Sequence, residues 1–229
     1  MTETPGGPPR PTWGNVVRRA LFFLFGLFVM ALGVALTTRA HLGTSPISAP
    51  PYVLSLWGPW TFGQYTFAML VCFVIVQILL LRRRYEPLQL VQLGTGLAFS
   101  FFIDVSMWIT PWFDPEPYAL QFGQMLLGSV VLGIGVAFQV APRLTYLPGD
   151  GTIVALTRVL PISFPRLKII FDSTLVAAAA IFSLLTWGEL RGVREGTIIA
   201  AVLVGLVVGW VMPATRRILA AARALPPGP

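Results

Sequence analysis

The amino-acid sequence predicts an all-α membrane protein with six transmembrane helices in two inverted three-helix repeats, each with a short re-entrant or interfacial helix. Three observations lead to this fold class. Hydrophobic residues fill 55% of the 229 positions and charged residues only 11%, whereas soluble domains carry about 25% charged residues. Six apolar runs are long enough to cross a membrane. The chain also matches itself after a shift of 102 residues.

Each apolar run is about 20 residues long, as an α-helix needs to cross about 30 Å of hydrocarbon. The runs are continuous and do not alternate with polar residues, so a transmembrane barrel is disfavoured. We expect residues 1–16, rich in Pro, Gly and Thr, to be disordered in the cytoplasm, 17–215 to form one polytopic domain and 216–229 to form a cytoplasmic tail. The predicted spans are 17–39, 62–82, 88–111, 118–141, 164–187 and 195–214.

The basic residues predict that both termini lie in the cytoplasm. Cytoplasmic loops of membrane proteins carry an excess of Lys and Arg. With the amino terminus inside, thirteen of the sixteen basic residues fall in inner segments, and only Arg39, Arg191 and Arg194 lie outside. We therefore expect a multi-pass protein of the bacterial inner membrane. Its net charge of +7 reflects this topology and does not indicate nucleic-acid binding.

The two halves, 17–113 and 117–215, are related by the 102-residue shift. Each half contains three spans, an odd number, so the second half must be inverted relative to the first, as in many secondary transporters. Without a gap the shift aligns five Gly or Pro pairs, where about one or two would be expected by chance. The pairs are Gly26 with Gly128, Gly33 with Gly135, Pro46 with Pro148, Pro59 with Pro161 and Gly94 with Gly196.

Each half is interrupted by a segment that is too short to span the membrane. Residues 41–58 enter from the outer side and residues 143–160 from the inner side. At about 1.5 Å per residue, a helix of ten to twelve residues reaches only about half of the hydrocarbon depth. Each segment is therefore either a re-entrant hairpin or a helix on the membrane surface. Pro46 and Pro148 suit the first turn of these two helices.

The first turns of the short helices are predicted to line a substrate or proton site. Thr44, Ser45 and Ser48 supply hydroxyl groups in the first segment, and Asp150 supplies a carboxylate in the second. Free N–H groups and the positive end of the helix dipole favour such side chains at a helix start. Asp150 can cap its own helix, or it can face an aqueous cavity and bind a cation, a proton or substrate. The two roles are compatible.

The fifth span carries three charged residues near its start. Arg166 and Lys168 suit a cytoplasmic helix end, where long cationic side chains reach the interface. Lys168 and Asp172 are four residues apart and share a helix face, close enough for an ion pair. Asp172 lies about 12 Å along the helix. An unpaired carboxylate is costly at that depth, so Asp172 belongs either to a structural salt bridge or to a functional site.

Other polar residues give weaker signals. Asp104, in the third span, is a secondary candidate for the site. Gln77 and Gln139 are interpreted as hydrogen-bond partners between helices. Cys72 is the only cysteine and His41 the only histidine, so no metal-binding or nucleophile–base set is recognisable. We therefore expect neither a metal nor another cofactor, and we do not expect an enzyme.

The segments LGTSPISAPPYVLS (42–55) and LPGDGTIVALTR (147–158) resemble the paired motifs of the YczE/YitT group of bacterial membrane proteins. In that group a Gly-x-Ser-Pro-like motif in the first half is answered by a Gly/Pro-Asp-Gly motif in the second. The likeness extends over about residues 18–214. It implies a polytopic inner-membrane protein, and it implicates Ser45 with Pro46, Asp150 with Gly151, and Lys168 with Asp172.

These observations predict a secondary transporter of a small solute. Inner basic residues suit an anionic solute, and buried carboxylates suit proton coupling. The alternative is a non-transporting component, either a substrate-capture subunit for a separate ATPase or an accessory protein of a biosynthetic assembly. Expected partners are membrane lipids and the solute, without nucleic acid. A homo-oligomer and a complex with a second membrane protein both remain open.

Overall fold

A computed structural model describes residues 13–222, and these residues form eight α-helices and two short 3-10 helices. Residues 1–12 of the segment predicted to be disordered, 1–16, and the end of the tail, 223–229, lie outside the described part, whereas residues 13–16 belong to the first helix. Six helices are long and apolar enough to cross a membrane, as the sequence predicts. They are α1 (Trp13–Arg39), α3 (Phe62–Leu81), α4 (Val91–Ile109), α5 (Tyr118–Val140), α7 (Phe164–Trp187) and α8 (Glu195–Ala221).

The two remaining α-helices are short and lie in the predicted interruptions. They are α2 (Ala49–Trp57) and α6 (Pro148–Val159). Helix α6 begins at the predicted proline. Helix α2 begins after Pro46, because the backbone N–H groups of Ser48 and Ala49 both donate to the carbonyl of Ser45 and form a turn first.

Local signals position several helix ends. A capping box begins α3: Thr61 Oγ1 accepts from the Gln64 backbone N–H at 3.1 Å, and Gln64 Oε1 accepts from the Thr61 N–H at 3.0 Å. Gly188, with φ of 72°, ends α7 in the left-handed conformation that glycine adopts without strain. Helices α1 and α8 extend beyond their predicted ends, to Trp13 and Ala221.

Helices α1 and α5 are antiparallel and pack backbone against backbone at the centre of the protein. Four glycines make this approach possible, since a Cβ atom at any of them would overlap the facing helix. Gly26 and Gly33 lie on α1, and Gly128 and Gly135 lie on α5. These glycines, which the sequence comparison of the two halves selected, therefore form the central helix contact.

Replacing Gly135 with alanine is expected to lower the melting temperature by several degrees. The added Cβ would overlap the backbone of Met30, and overpacking of this kind costs about 1–3 kcal/mol. Intrinsic tryptophan fluorescence of the purified protein in detergent measures the melting temperature. Gly205→Ala is the matched control, because a Cβ at Gly205 has no neighbour within 4 Å. Equal melting temperatures for the two variants would contradict the proposed packing.

The other helices surround the central pair. Helix α4 packs on α1, and α8 packs on α5. Helix α3 packs against α2, α4 and α6, whereas α7 packs against α2 and α6. Within residues 13–222, α7 and α8 do not pack along one another. These two helices are also the least enclosed of the six spans.

The ends of the helices define two ends of the bundle. Arg19 Nε, near the start of α1, donates to the carbonyl of Pro142 after α5 at 3.0 Å. Glu86 and Gln89 lie around one cavity with residues 144–146, so the turn at Arg82–Arg84 is at the same end. We call this the basic end. At the opposite end, Arg39 Nη2 donates to the carbonyl of Met107 at 2.7 Å.

Candidate functional site

Lys168 lies between two carboxylates. Its Nζ atom is 3.1 Å from Asp172 Oδ1 and 3.6 Å from Asp150 Oδ1. Asp150 belongs to the first turn of α6, whereas Lys168 and Asp172 are one turn apart on α7. The three side chains retain between 22% and 36% of their accessible surface. These three residues are predicted from the sequence as parts of one substrate or proton site, and they form one group, which we call the charged cluster.

The charged cluster has one excess negative charge when its three side chains are ionised, because it pairs two carboxylates with a single ammonium group. A proton or another cation bound there would neutralise this charge. The positive end of the α6 dipole also favours the carboxylate of Asp150 in the first turn. No backbone N–H of the described residues donates to Asp150, so the predicted capping hydrogen bond does not form, and Asp150 lies in the charged cluster instead.

Arg166 does not join the charged cluster. It lies in the first turn of α7 and is exposed. It forms no ion pair with any residue between 13 and 222. This position suits a cation that reaches the membrane interface.

The predicted hydroxyl residues form a separate, buried group at the end of α1 and before α2. Ser45 Oγ donates to Ser48 Oγ at 2.8 Å, and Thr38 Oγ1 donates to Thr44 Oγ1 at 3.1 Å. Thr44 has no accessible surface. None of these hydroxyls hydrogen-bonds to the charged cluster. The structure therefore divides the predicted site residues into two groups.

The tips of the two short segments touch each other. A Cβ atom at Gly149 would overlap Cδ1 of Ile47, so the two residues are in direct contact. Ile47 and Leu147 both belong to the main apolar core, together with residues of α1, α3 and α4. The two segments that enter from opposite ends of the bundle thus meet in its interior.

The first turn of α6 is held deep in the protein by α3. Gln77 Nε2 donates to the Pro148 carbonyl at 2.9 Å, and Thr152 Oγ1 donates to the Phe73 carbonyl at 3.3 Å. Phe73 lies eight residues before Leu81, the last residue of α3. At about 1.5 Å per residue, this contact lies about 12 Å along α3 from its basic end.

A cavity of about 190 Å³ with a mixed polar and apolar lining opens beside this contact, between α3, α4 and α6. Its lining includes Gln77, Gln92 and Gly151. The sequence reasoning assigned Gln77 only to helix contacts and did not select Gln92. The signal that could have identified them is a polar amide on each of two neighbouring apolar spans.

Asp104 has a structural position. Its Oδ2 atom accepts from Thr61 Oγ1 at 2.6 Å, and its Oδ1 atom accepts from the Gly63 N–H at 2.8 Å. These bonds attach the start of α3 to α4, away from the charged cluster. No group of His, Cys, Asp and Glu side chains in the described chain is arranged to hold a metal ion.

Comparisons with known proteins identify relatives over nearly the whole chain. A family described as "Family of unknown function (DUF6198)" matches residues 17–213. The chain is 28% identical over 222 residues to "Uncharacterized membrane protein YczE" of Bacillus subtilis (strain 168), covering 93% of this chain and 98% of the relative. It is 24% identical over 200 residues to "Uncharacterized protein YyaS" of the same organism, covering 86% and 94%. No solved structure matches.

Proposed function

The chain belongs to the DUF6198 family, whose function is unknown, and we propose that it is a secondary transporter of a small solute across the bacterial inner membrane. Family membership agrees with the resemblance that the paired motifs predict, and the similarity to YczE marks a membrane protein. The observation that carries the proposal is the meeting of two short segments, from opposite ends, beside partly exposed charged residues. This is the arrangement at the substrate sites of many secondary transporters.

The contacts between α1 and α5 support two inverted repeats. The 102-residue shift relates these contacts in pairs. When a glycine of α1 contacts a residue of α5, the counterpart of that glycine on α5 contacts the counterpart of that residue on α1. Such reciprocal contacts between antiparallel helices are expected from a pseudo-twofold axis in the membrane plane. The pairs are Gly26 with Gln139 and Gly128 with Thr37, then Gly33 with Leu132 and Gly135 with Met30.

The packing of the other helices supports the same relation. The shift relates helices α1, α2, α3 and α4 to α5, α6, α7 and α8, in that order. The α1–α4 contact then corresponds to the α5–α8 contact, and the α2–α3 contact corresponds to the α6–α7 contact. The contact of α3 with α6 corresponds to that of α7 with α2. Ile47 and Gly149 are themselves counterparts under the shift, and they touch each other. A residue that touches its own counterpart lies at the pseudo-twofold axis. We therefore propose that α2 and α6 are re-entrant and reach the middle of the membrane.

The two halves differ most at one helix pair, and this difference supports alternating access. Helices α3 and α4 pack together, whereas their counterparts α7 and α8 do not. An inverted-repeat transporter reaches its second state when each half adopts the arrangement of the other. We propose that closing α7 onto α8 accompanies the separation of α3 from α4.

The charged cluster is the proposed coupling and substrate site. A proton or another cation neutralises its excess negative charge. Once a carboxylate of the cluster is protonated, Lys168 can pair with an anionic part of the solute. The cluster lies on α6 and on α7, one of the two least enclosed spans. Its water access therefore changes if α7 moves. The concentration of Arg residues at the basic end supports the proposed cytoplasmic position of both termini.

Solute flux into proteoliposomes tests the proposal. The purified protein is reconstituted with a pH-sensitive dye inside the vesicles, and metabolite anions and cations are added one at a time. We expect at least one solute to drive proton movement that protein-free vesicles do not show. No flux with any solute, together with co-purification of a stoichiometric ATPase from native membranes, would contradict the proposal and support a substrate-capture subunit.

A further inference from the structure

We propose that the cavity between α3, α4 and α6 binds a small uncharged solute that both donates and accepts hydrogen bonds. The cavity is separate from the charged cluster. Asp150 and Gly151 are consecutive on α6, so their side-chain directions differ by about 100°, and Gly151 lines the cavity whereas Asp150 does not. The inference concerns binding at this cavity and does not depend on transport.

Two glutamine amides form the polar floor of the cavity. Gln77 is 1% exposed and Gln92 is 4% exposed. Gln77 Nε2 donates to Gln92 Oε1 at 3.3 Å, to the Pro148 carbonyl at 2.9 Å and to Thr152 Oγ1 at 3.3 Å. These bonds fix one end of each amide and orient both side chains.

The other end of each amide has no partner among the described residues. Gln77 Oε1 accepts no hydrogen bond and Gln92 Nε2 donates none. Neither atom is sealed from solvent. Buried polar groups in proteins are normally hydrogen-bonded, so the floor offers one acceptor and one donor to whatever occupies the cavity.

The charge distribution favours an uncharged occupant. The lining of the cavity includes two charged side chains, Glu86 and Arg158, and both are exposed to solvent. The floor consists of the two amides and the Gly151 backbone, and apolar side chains such as Leu81 and Val154 form much of the remaining lining. An ion that leaves water without meeting an opposite charge pays a large desolvation penalty. A carboxamide or hydroxyl group loses much less and can satisfy both free amide ends.

Gly151 keeps the floor open. A Cβ atom at this position would lie 2.5 Å from Gln92 Oε1 and 3.1 Å from both polar atoms of the Gln77 amide. A volume of about 190 Å³ corresponds to about six water molecules at roughly 30 Å³ each. Propionamide, a short primary amide, therefore fits the cavity in both size and chemistry and serves as the probe.

Thermal-shift titration of the purified full chain in detergent tests this site. Propionamide is compared with propionate and with propylammonium, which have a similar size but carry a charge. A ligand that binds the folded state raises the melting temperature with its concentration. We expect a saturable rise with propionamide and none with the two ions. No saturable rise with propionamide, or equal rises with all three compounds, would overturn the inference.

Variants of the floor make the test specific. Gly151→Ala is expected to weaken the apparent affinity for propionamide at least tenfold, whereas Gly94→Ala, with no atom within 4 Å of its added Cβ, is expected to leave it unchanged. Gln92→Glu preserves the shape of the side chain and is expected to exchange the preference from propionamide to propylammonium. Unchanged affinity in Gly151→Ala would overturn the inference. If Gly151→Ala does not fold, a Gln92→Glu protein that still prefers propionamide to propylammonium would overturn the inference.

Discussion

Replacing Lys168 with methionine is expected to abolish solute-driven proton movement and to lower the melting temperature by several degrees. The substitution removes the only cation between two carboxylates whose oxygens lie 3.1 and 3.6 Å from its Nζ atom. Removing one partner of a fully buried ion pair costs about 3–5 kcal/mol. Partial exposure of this cluster reduces the expected loss to about 1–3 kcal/mol. Flux in proteoliposomes and tryptophan fluorescence during heating measure the two effects.

Two further variants separate the lost charge from general damage to α7. Arg166→Met removes a cation from the same helix, but one without an ion-pair partner in the described chain, and is expected to change neither property. Lys168→Met combined with Asp172→Asn removes an ammonium and a carboxylate together. This double variant is expected to regain stability without regaining flux. A fully active Lys168→Met protein would refute the role of the cluster.

Neutralising either carboxylate of the cluster is expected to remove the pH dependence of transport. Asp150→Asn and Asp172→Asn each keep the size of the side chain but cannot exchange a proton. We expect proton-coupled flux to fall at least about 100-fold, the scale of loss for a positioned proton-transfer group, while the amount of protein in the membrane stays near normal. Flux recorded at several pH values checks this expectation.

Asp104→Asn is the matched control for these variants. Asp104 is also an acidic residue within a span, but its two oxygens accept from Thr61 and Gly63 at the start of α3. The amide retains an oxygen that can accept one of these bonds, so the variant is expected to lose some stability and keep its pH dependence. Unchanged flux in both cluster variants would remove the proposed site.

The parts of the fold that were predictable depend on short-range patterns. Six long apolar runs, the prolines before short segments and the odd number of spans per half are all visible in the sequence. The pair of Lys168 and Asp172 was also predictable, because a separation of four residues on one helix requires no knowledge of the fold.

The parts that were not predictable depend on contacts between helices. Asp150 joins Lys168 only because α6 packs beside α7, and the spacing of the two residues along the chain contains no trace of this contact. Gln77 lies on α3 and Gln92 lies on α4, and their side chains are hydrogen-bonded to each other. In the sequence each is a single polar residue within an apolar span, so their contact could not be recognised. The ends of α1 and α8 were misjudged because both helices continue beyond the apolar runs that were used to place them. In the structure the two extended ends lie together, since Arg18 Nη1 donates to the Ala222 carbonyl at 2.7 Å.

Cross-linking of the two segment tips tests the inverted, re-entrant arrangement most directly. In a Cys72→Ser chain, Ile47→Cys and Gly149→Cys are combined and treated in native membranes with a short bifunctional thiol reagent. We predict an efficient cross-link within one chain, because these residues are in contact. Ile47→Cys with Val159→Cys is the control and is predicted not to react, since Val159 lies about 15 Å further along α6. If the two short helices lay on opposite membrane surfaces, about 30 Å of hydrocarbon would separate their tips and no cross-link between Ile47→Cys and Gly149→Cys could form. Absence of that cross-link would therefore contradict the inverted, re-entrant arrangement.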